Sequence, residues 1–223
     1  SIIYELMTDT AYRENEGSYK AAYTLNLYNL AKVRCLEGIS DSEIQTRIGI
    51  LKFGALQDSL EGNWDGYYQK QNQIRRNQSV LDSQQALFDG LATYHQLFAF
   101  MIDNSVYDEI NMNTFNFVRA TFDQLLWRLP TQQEFDSGFG MIEYNQPVSL
   151  FGQLGSDKND YIRILTGSDE MLEGMLVWSF QVFLSRAPKP EEVVTLLPVY
   201  LQTKDINWLI AQILVTDEYA NFR

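Results

Sequence analysis

Scarcity says more than abundance about this 223-residue chain. It has one cysteine, one histidine, five prolines, and 17 basic residues against 29 acidic ones. With Cys35 alone there is no intrachain disulfide and no cysteine-based metal cluster. Cys35 falls in LAKVRCLEG and is read as an inert thiol on the inner face of a helix. With His95 alone, a multi-histidine zinc site is excluded, and a cysteine nucleophile would have no other histidine to serve it. His95 sits among aromatics in LATYHQLFAFMI and is read as a packing or surface histidine. The net charge of −12 argues against nucleic acid, which needs clustered Lys and Arg to displace counterions. It also argues against anionic membrane surfaces. Arg75 and Arg76 beside Lys70 are the only compact basic cluster.

Long apolar runs are missing too. LFAFMI and GMLVWSFQVFL fall short of the roughly 18 residues a membrane span needs. No signal peptide is visible. The chain opens on Ser rather than Met, which leaves room for a leader or a larger upstream region. GxGxxG, Walker A, GxSxG, HExxH and CxxCH are all absent. No catalytic residue, cofactor or metal ligand is assigned.

What is present is a globular composition, 45% apolar and 13% aromatic, in a chain long enough to bury a core. Its organising feature is a pattern written twice after residue 119. FDQLLWRLPTQQEF (Phe122 to Phe135) and FQVFLSRAPKPEEV (Phe180 to Val193) each place an apolar run before Arg-x-Pro-x-x-x-Glu. The joint residues are Arg128, Pro130 and Glu134, then Arg186, Pro188 and Glu192. The apolar run is helical, Arg suits its negative C-terminal end, and Pro cannot continue it. A second helix then starts at once. Thr131 with Glu134 forms a capping box, and Pro190 with Glu191 and Glu192 fills a first turn. Arg and Glu are expected to pair across each corner as joint chemistry.

Each copy leads to a second phrase, ILTGSDEM or ILVTDEY, and ELMTDTAY opens the chain. Ser168, Thr216 and Thr8 are predicted N-caps, with Gly167 a left-handed cap of the preceding helix. The opening phrase is an orphan, so Ile2, Ile3, Leu6 and Met7 need cover, expected from helices at 18–37 and 79–103.

The rest reads as helix. Segments are expected at 18–37, closed by Gly38, and from Ser40 to about Leu60. In the latter, Ser40 pairs with Glu43, Ile39 staples on Ile44, and Ile44, Ile48, Leu51, Ala55 and Leu56 form an inner stripe. Glu61 to Gly66 reads as a loop holding Trp64, and Tyr67 to Gln78 as either a solvated helix or a connection. A long helix runs from Ser79 to Asp103, then Val106 to Phe117 links into a helix ending at Arg128. Later helices lie near 132–143, after a Ser156 cap to Leu165, and near 169–185, 191–202 and 205–215, with Pro198 kinking the 191–202 segment. Pro147 to Gly155 is a loop, and no strand alternation stands out. The expectation is an all-α array of about ten helices. It has an N-terminal region (1–112) and a C-terminal region (113–223) holding repeat units at about 119–171 and 177–219.

Two sets of acidic residues deserve a functional reading. Trp64, Tyr67 and Tyr68 beside Asp58, Glu61 and Asp65 would suit a glycan-active enzyme or glycan-binding module, given two carboxylates facing across a cleft. The favoured reading is that these acids, like Asp157, Asp160, Asp169 and Glu170, cap helices and face solvent. A calcium loop at 152–160 lacks the required glycine and distal Glu.

The Arg-x-Pro-x-x-x-Glu joints with the closing I-L-V-T-D-E-Y-x-x-F-R resemble helical domains of unknown function in exported bacterial proteins, including planctomycete cytochrome-associated ones. The resemblance covers about residues 119–223. It implies an extracytoplasmic bacterial protein, in the periplasm or at the outer membrane, although composition does not separate this from a cytoplasmic one. The role it implies is non-catalytic: a structural subunit docking on other protein chains of an envelope assembly. The chain lacks a haem motif, so redox association is not carried over. Trp64, Tyr67, Tyr68 and Tyr144 are the candidate interface aromatics, since aromatics are enriched at interface cores.

Overall fold

Capping chemistry divides the chain into helices of 4 to 26 residues. A computed structural model describes residues 2–11 and 17–221. Among them are thirteen helices and one two-stranded ribbon. The first half comprises α1 (Ile2–Thr8), α2 (Tyr19–Leu36), α3 (Asp41–Glu61), α4 (Trp64–Asp89), α5 (Tyr94–Ile102) and α6 (Ser105–Asn111). The second comprises α7 (Thr114–Leu126), α8 (Gln132–Tyr144), β1 (Val148–Leu150), β2 (Gln153–Gly155), α9 (Lys158–Thr166), α10 (Asp169–Leu184), α11 (Pro190–Thr203), α12 (Ile206–Leu214) and α13 (Asp217–Ala220). The fold is all-α. One cluster of buried side chains runs from Met7 on α1 to Ile213 on α12, with Tyr28, Tyr94, Tyr107, Phe122, Tyr161 and Tyr200 at its centre.

Several expected boundaries move, each for a local reason. Trp64 is not in a loop: Gly62 turns left-handed, Asn63 caps, and Trp64 begins α4. The polar stretch 67–78 belongs to that same helix, because its inner residues Ile74, Asn77 and Val80 pack inward while the rest stay solvated. The long helix expected to reach Asp103 breaks after Asp89. Gly90 takes φ +72 and Thr93 with Gln96 forms a capping box that restarts the chain as α5. The expected linker 106–117 contains α6, capped by Asn104, and Asn113 then caps α7. The helix before the first joint stops at Leu126 because Trp127 adopts the left-handed conformation.

The expected loop 147–155 is a hairpin, β1 paired antiparallel with β2. Phe151 and Gly152 both take positive φ, the two-residue turn that suits strand twist. Phe151 tolerates it while its ring packs near Phe122. Asp157, not Ser156, caps α9. Gly167 is right-handed at φ −93, so it is not the left-handed cap expected. Pro198 lies inside α11, which continues through it.

Ser168 and Thr216 are N-caps as expected. Thr8 is not. It is the last residue of α1, its hydroxyl donates back to the carbonyls of Tyr4 and Glu5, and Asp9 accepts from the Ala11 amide instead. Tyr12, the end of that phrase, lies outside the described residues. α1 packs chiefly on α2, as expected, and on α12 rather than on the 79–103 segment. Met7 is buried and Ile3 partly so, whereas Ile2 and Leu6 stay exposed, and the Tyr4 hydroxyl donates to Asp205 at 2.9 Å.

Candidate functional site

The two arginine joints are built alike. At the first, Trp127 turns the chain left-handed (φ 54, ψ 28) and throws Arg128 back across the corner. Its Nη1 donates to the Leu129 carbonyl at 3.0 Å and to Glu134 Oε2 at 2.8 Å, and its Nη2 to Glu134 Oε1 at 2.6 Å. Its Nε and Nη2 also grip Glu170, in the first turn of α10. The guanidinium lies 5.2 Å from the centre of the Phe122 ring. At the second, Ser185 takes φ 54 and ψ 29. Arg186 donates to the Ala187 carbonyl at 3.0 Å and to Glu192 at 2.8 and 2.7 Å. It grips Glu218, in α13, at 2.6 and 2.7 Å, and lies 5.1 Å from the Phe180 ring. Each arginine thus clamps one carboxylate inside its joint and one from the start of a later helix, through paired bonds of the strong, charge-assisted kind.

These contacts set the charge states. The Arg128 bonds hold the Glu134 carboxyl at about 2, against desolvation and with help from Thr131. Glu192 and Glu218 are lowered in the same direction, first by Arg186. Glu170 and Glu218 were not singled out as arginine partners from sequence. The signal was there: both second phrases read Asp-Glu, SDEM and TDEY, whereas the orphan phrase reads Asp-Thr. Pro130 and Pro188 sit between arginine and helix start, as the pattern requires.

The candidate aromatics fall in two places. Trp64, Tyr67 and Tyr68 cluster edge-to-face at the tip of the α3–α4 hairpin, with centroids 5.9 and 5.4 Å apart. Trp64 and Tyr68 are exposed and Tyr67 is half-buried. Tyr144 is exposed at the end of α8, closing a row of rings formed by Phe115, Phe135 and Phe139. Leu56 belongs to neither the core nor the inner stripe expected for it. It faces solvent on α3, beside Ile50, Phe53 and Leu60.

The polar groups around the tip hold structure. Asp58 is buried between α3 and α4, where Lys70 pairs with it and the Asn63 amide donates at 3.1 Å; Lys70 first holds its carboxyl below the usual range. Further back, Arg76 bonds Asp103 and Asp108, and Lys158 bonds Asp108, tying α4 and α9 to α6 and the end of α5. Cys35 is fully buried, and burial pushes its thiol up to about 12. His95 is buried beside the Thr93 hydroxyl, its pKa lowered to about 4 by desolvation and then by Lys204. It borders a cleft of about 470 Å³ also lined by Asp103, Arg163 and Lys204. Among the described residues no three His, Cys, Asp or Glu side chains come together as a metal site would require.

The fold and its surfaces define an all-α array with clamped helix joints. No protein-family model, no curated protein and no solved structure matches the chain.

Proposed function

We propose that the chain is a structural, non-catalytic subunit that docks on other protein chains of a bacterial envelope assembly. One observation carries this. On the α3–α4 hairpin six large apolar side chains, Ile50, Phe53, Leu56, Leu60, Trp64 and Tyr68, are each more than half exposed. Exposed apolar side chains gathered on one hairpin in this way support reading it as an interaction site. The clamped joints support the reading, because paired charge-assisted bonds hold successive helices in fixed relation. Their matching bonds also support treating 119–171 and 177–219 as copies of one unit. The envelope location rests on the resemblance of residues 119–223 to domains of exported bacterial proteins. No helix among the described residues is long and apolar enough to cross a membrane.

The test is affinity capture of the tagged chain from gently solubilised envelope fractions of its native host. The expected result is co-purification with defined partner chains in fixed ratio. Recovery as a free chain from the soluble fraction overturns the proposal.

A further inference from the structure

The outward face of α3 has a spacing that its inward face does not explain. Toward α4 the helix buries Ile44, Ile48, Ala55 and Asp58. Directly opposite, Ser42, Thr46, Gly49, Phe53, Leu56 and Leu60 recur at alternating intervals of four and three residues, and all six are exposed. That is the spacing of a coiled-coil seam, the stripe by which one α-helix receives another. α3 packs chiefly on α4, so the stripe faces solvent along nearly the whole helix. Phe53 and Leu60 are 71% and 80% exposed, more than a monomer gains anything from.

The order of sizes along the seam identifies the occupant. The N-terminal half is small (Ser42, Thr46, Gly49) and the C-terminal half is large (Phe53, Leu56, Leu60). Lay a second α3 antiparallel, with the two-fold axis at the level of residue 51. Leu60 then meets Ser42, Leu56 meets Thr46, and Phe53 meets Gly49. Every large side chain finds a small one, in the fixed register that isologous pairing demands. A parallel pair would stack Phe53 on Phe53 and leave a gap at Gly49.

Charge agrees. The six seam positions carry none, and from Ile50 to Gln78 the chain has Lys52, Lys70, Arg75 and Arg76 against Asp58, Glu61 and Asp65. Over the whole hairpin, Asp41 to Asp89, five basic residues stand against seven acidic ones, a net −2 of the chain's −12, so charge opposes pairing only weakly there. The seam with its flanks covers roughly 600–800 Å² per copy, the size of the smaller stable interfaces.

We infer that the outer face of α3 is a self-association surface, by which two copies pair antiparallel and join their α3–α4 hairpins into a four-helix bundle. This deepens the docking reading above, and rests on it only in taking the hairpin as a docking element. Purified protein alone decides it, whereas envelope capture decides the other.

Sedimentation equilibrium of the purified chain, from low to high micromolar concentration, is expected to show a monomer–dimer equilibrium. Added salt should strengthen it, because the acidic bodies repel. Gly49→Phe fills the hole that receives Phe53 of the other copy, and should weaken the dimer at least tenfold. In the single chain a Cβ at 49 meets nothing within 4 Å and the position faces solvent, so helicity and melting are expected to hold. Adding Phe53→Ala to Gly49→Phe restores large-against-small and should recover pairing. Spin labels at Ser42→Cys should lie about 27 Å apart along the pair, 18 residues at 1.5 Å each. A monomer at every concentration, a Gly49→Phe chain that pairs as before, no recovery in the double variant, or labels within about one helix diameter of each other would each overturn the proposal.

Discussion

The Arg128 and Arg186 joints make the same bonds with different surroundings. Arg128 reaches Glu170 at the start of α10, a 16-residue helix with nine buried residues running through the core. Arg186 reaches Glu218 in α13, four residues long with none buried. The side chain of Glu170 is 32% exposed and that of Glu218 is 42%. The first joint also has a neighbour pressed against it: a side-chain carbon on Gly174 of α10 would come within 2.7 Å of the Leu125 carbonyl and 2.8 Å of the Trp127 ring. Identical local chemistry therefore carries different loads. At the first joint the clamp fixes two core helices; at the second it tethers a short surface turn.

The sharpest way to test that difference is Gly174→Ala. The clash is with backbone and a packed indole, so α10 must shift away from the first joint. The expected loss is about 3 kcal/mol by the usual cost of overpacking, read by urea denaturation. A loss well under 1 kcal/mol would mean the first joint is not under the packing load described.

Removing the clamps comes next. Arg128→Ala leaves Glu134 and Glu170 partly buried without their partner and should cost about 2 kcal/mol. Arg186→Ala should cost about 1 kcal/mol, since its outer carboxylate is better hydrated. Equal losses would break the comparison. The pH dependence follows from Glu134. Its folded pKa of about 2 lies below the ordinary 4.5, so its contribution is full above about pH 4.5 and is lost as pH falls toward 2. The stability gap between wild type and Arg128→Ala should close over that interval. A gap that holds constant down to pH 2 contradicts the clamp.

The smallest expected effect concerns the caps. At the first joint the Thr131 hydroxyl accepts from the Glu134 amide at 3.3 Å while Glu134 Oε2 accepts from the Thr131 amide at 2.7 Å. At the second, Glu192 accepts from the Lys189 amide at 2.6 Å, but a lysine ammonium has no lone pair to return the bond. Lys189→Ser supplies the missing acceptor and should stabilise by about 0.5–1 kcal/mol. Thr131→Ser, where the acceptor already exists, should be near neutral in the same thermal melts.

Legibility followed the range of the interaction. Thr131, Ser40 and Ser168 were readable as caps because the donor each satisfies lies three residues away. The break at Gly90 and Thr93 was readable in principle, through Gly followed by Thr-x-x-Gln, but the apolar period across it argued for continuity. The Phe151-Gly152 turn carried too little signal, since Phe rarely takes positive φ and three-residue strands show no alternation. Leu56 reads as inward because an apolar residue next to Ala55 fits a core stripe, and only the position of α4 shows which side of α3 is covered.

By itself, then, the sequence determined the all-α class, the positions of both joints and the pairing of each arginine with the glutamate six residues on. Those depend on helix period, capping and the reach of one side chain. Tertiary structure decided the rest. It brought Glu170 and Glu218 to their arginines from 42 and 32 residues away, set α1 against α12, and left one face of α3 bare. Such contacts depend on how whole helices pack, and no local propensity encodes which of two apolar faces will be covered.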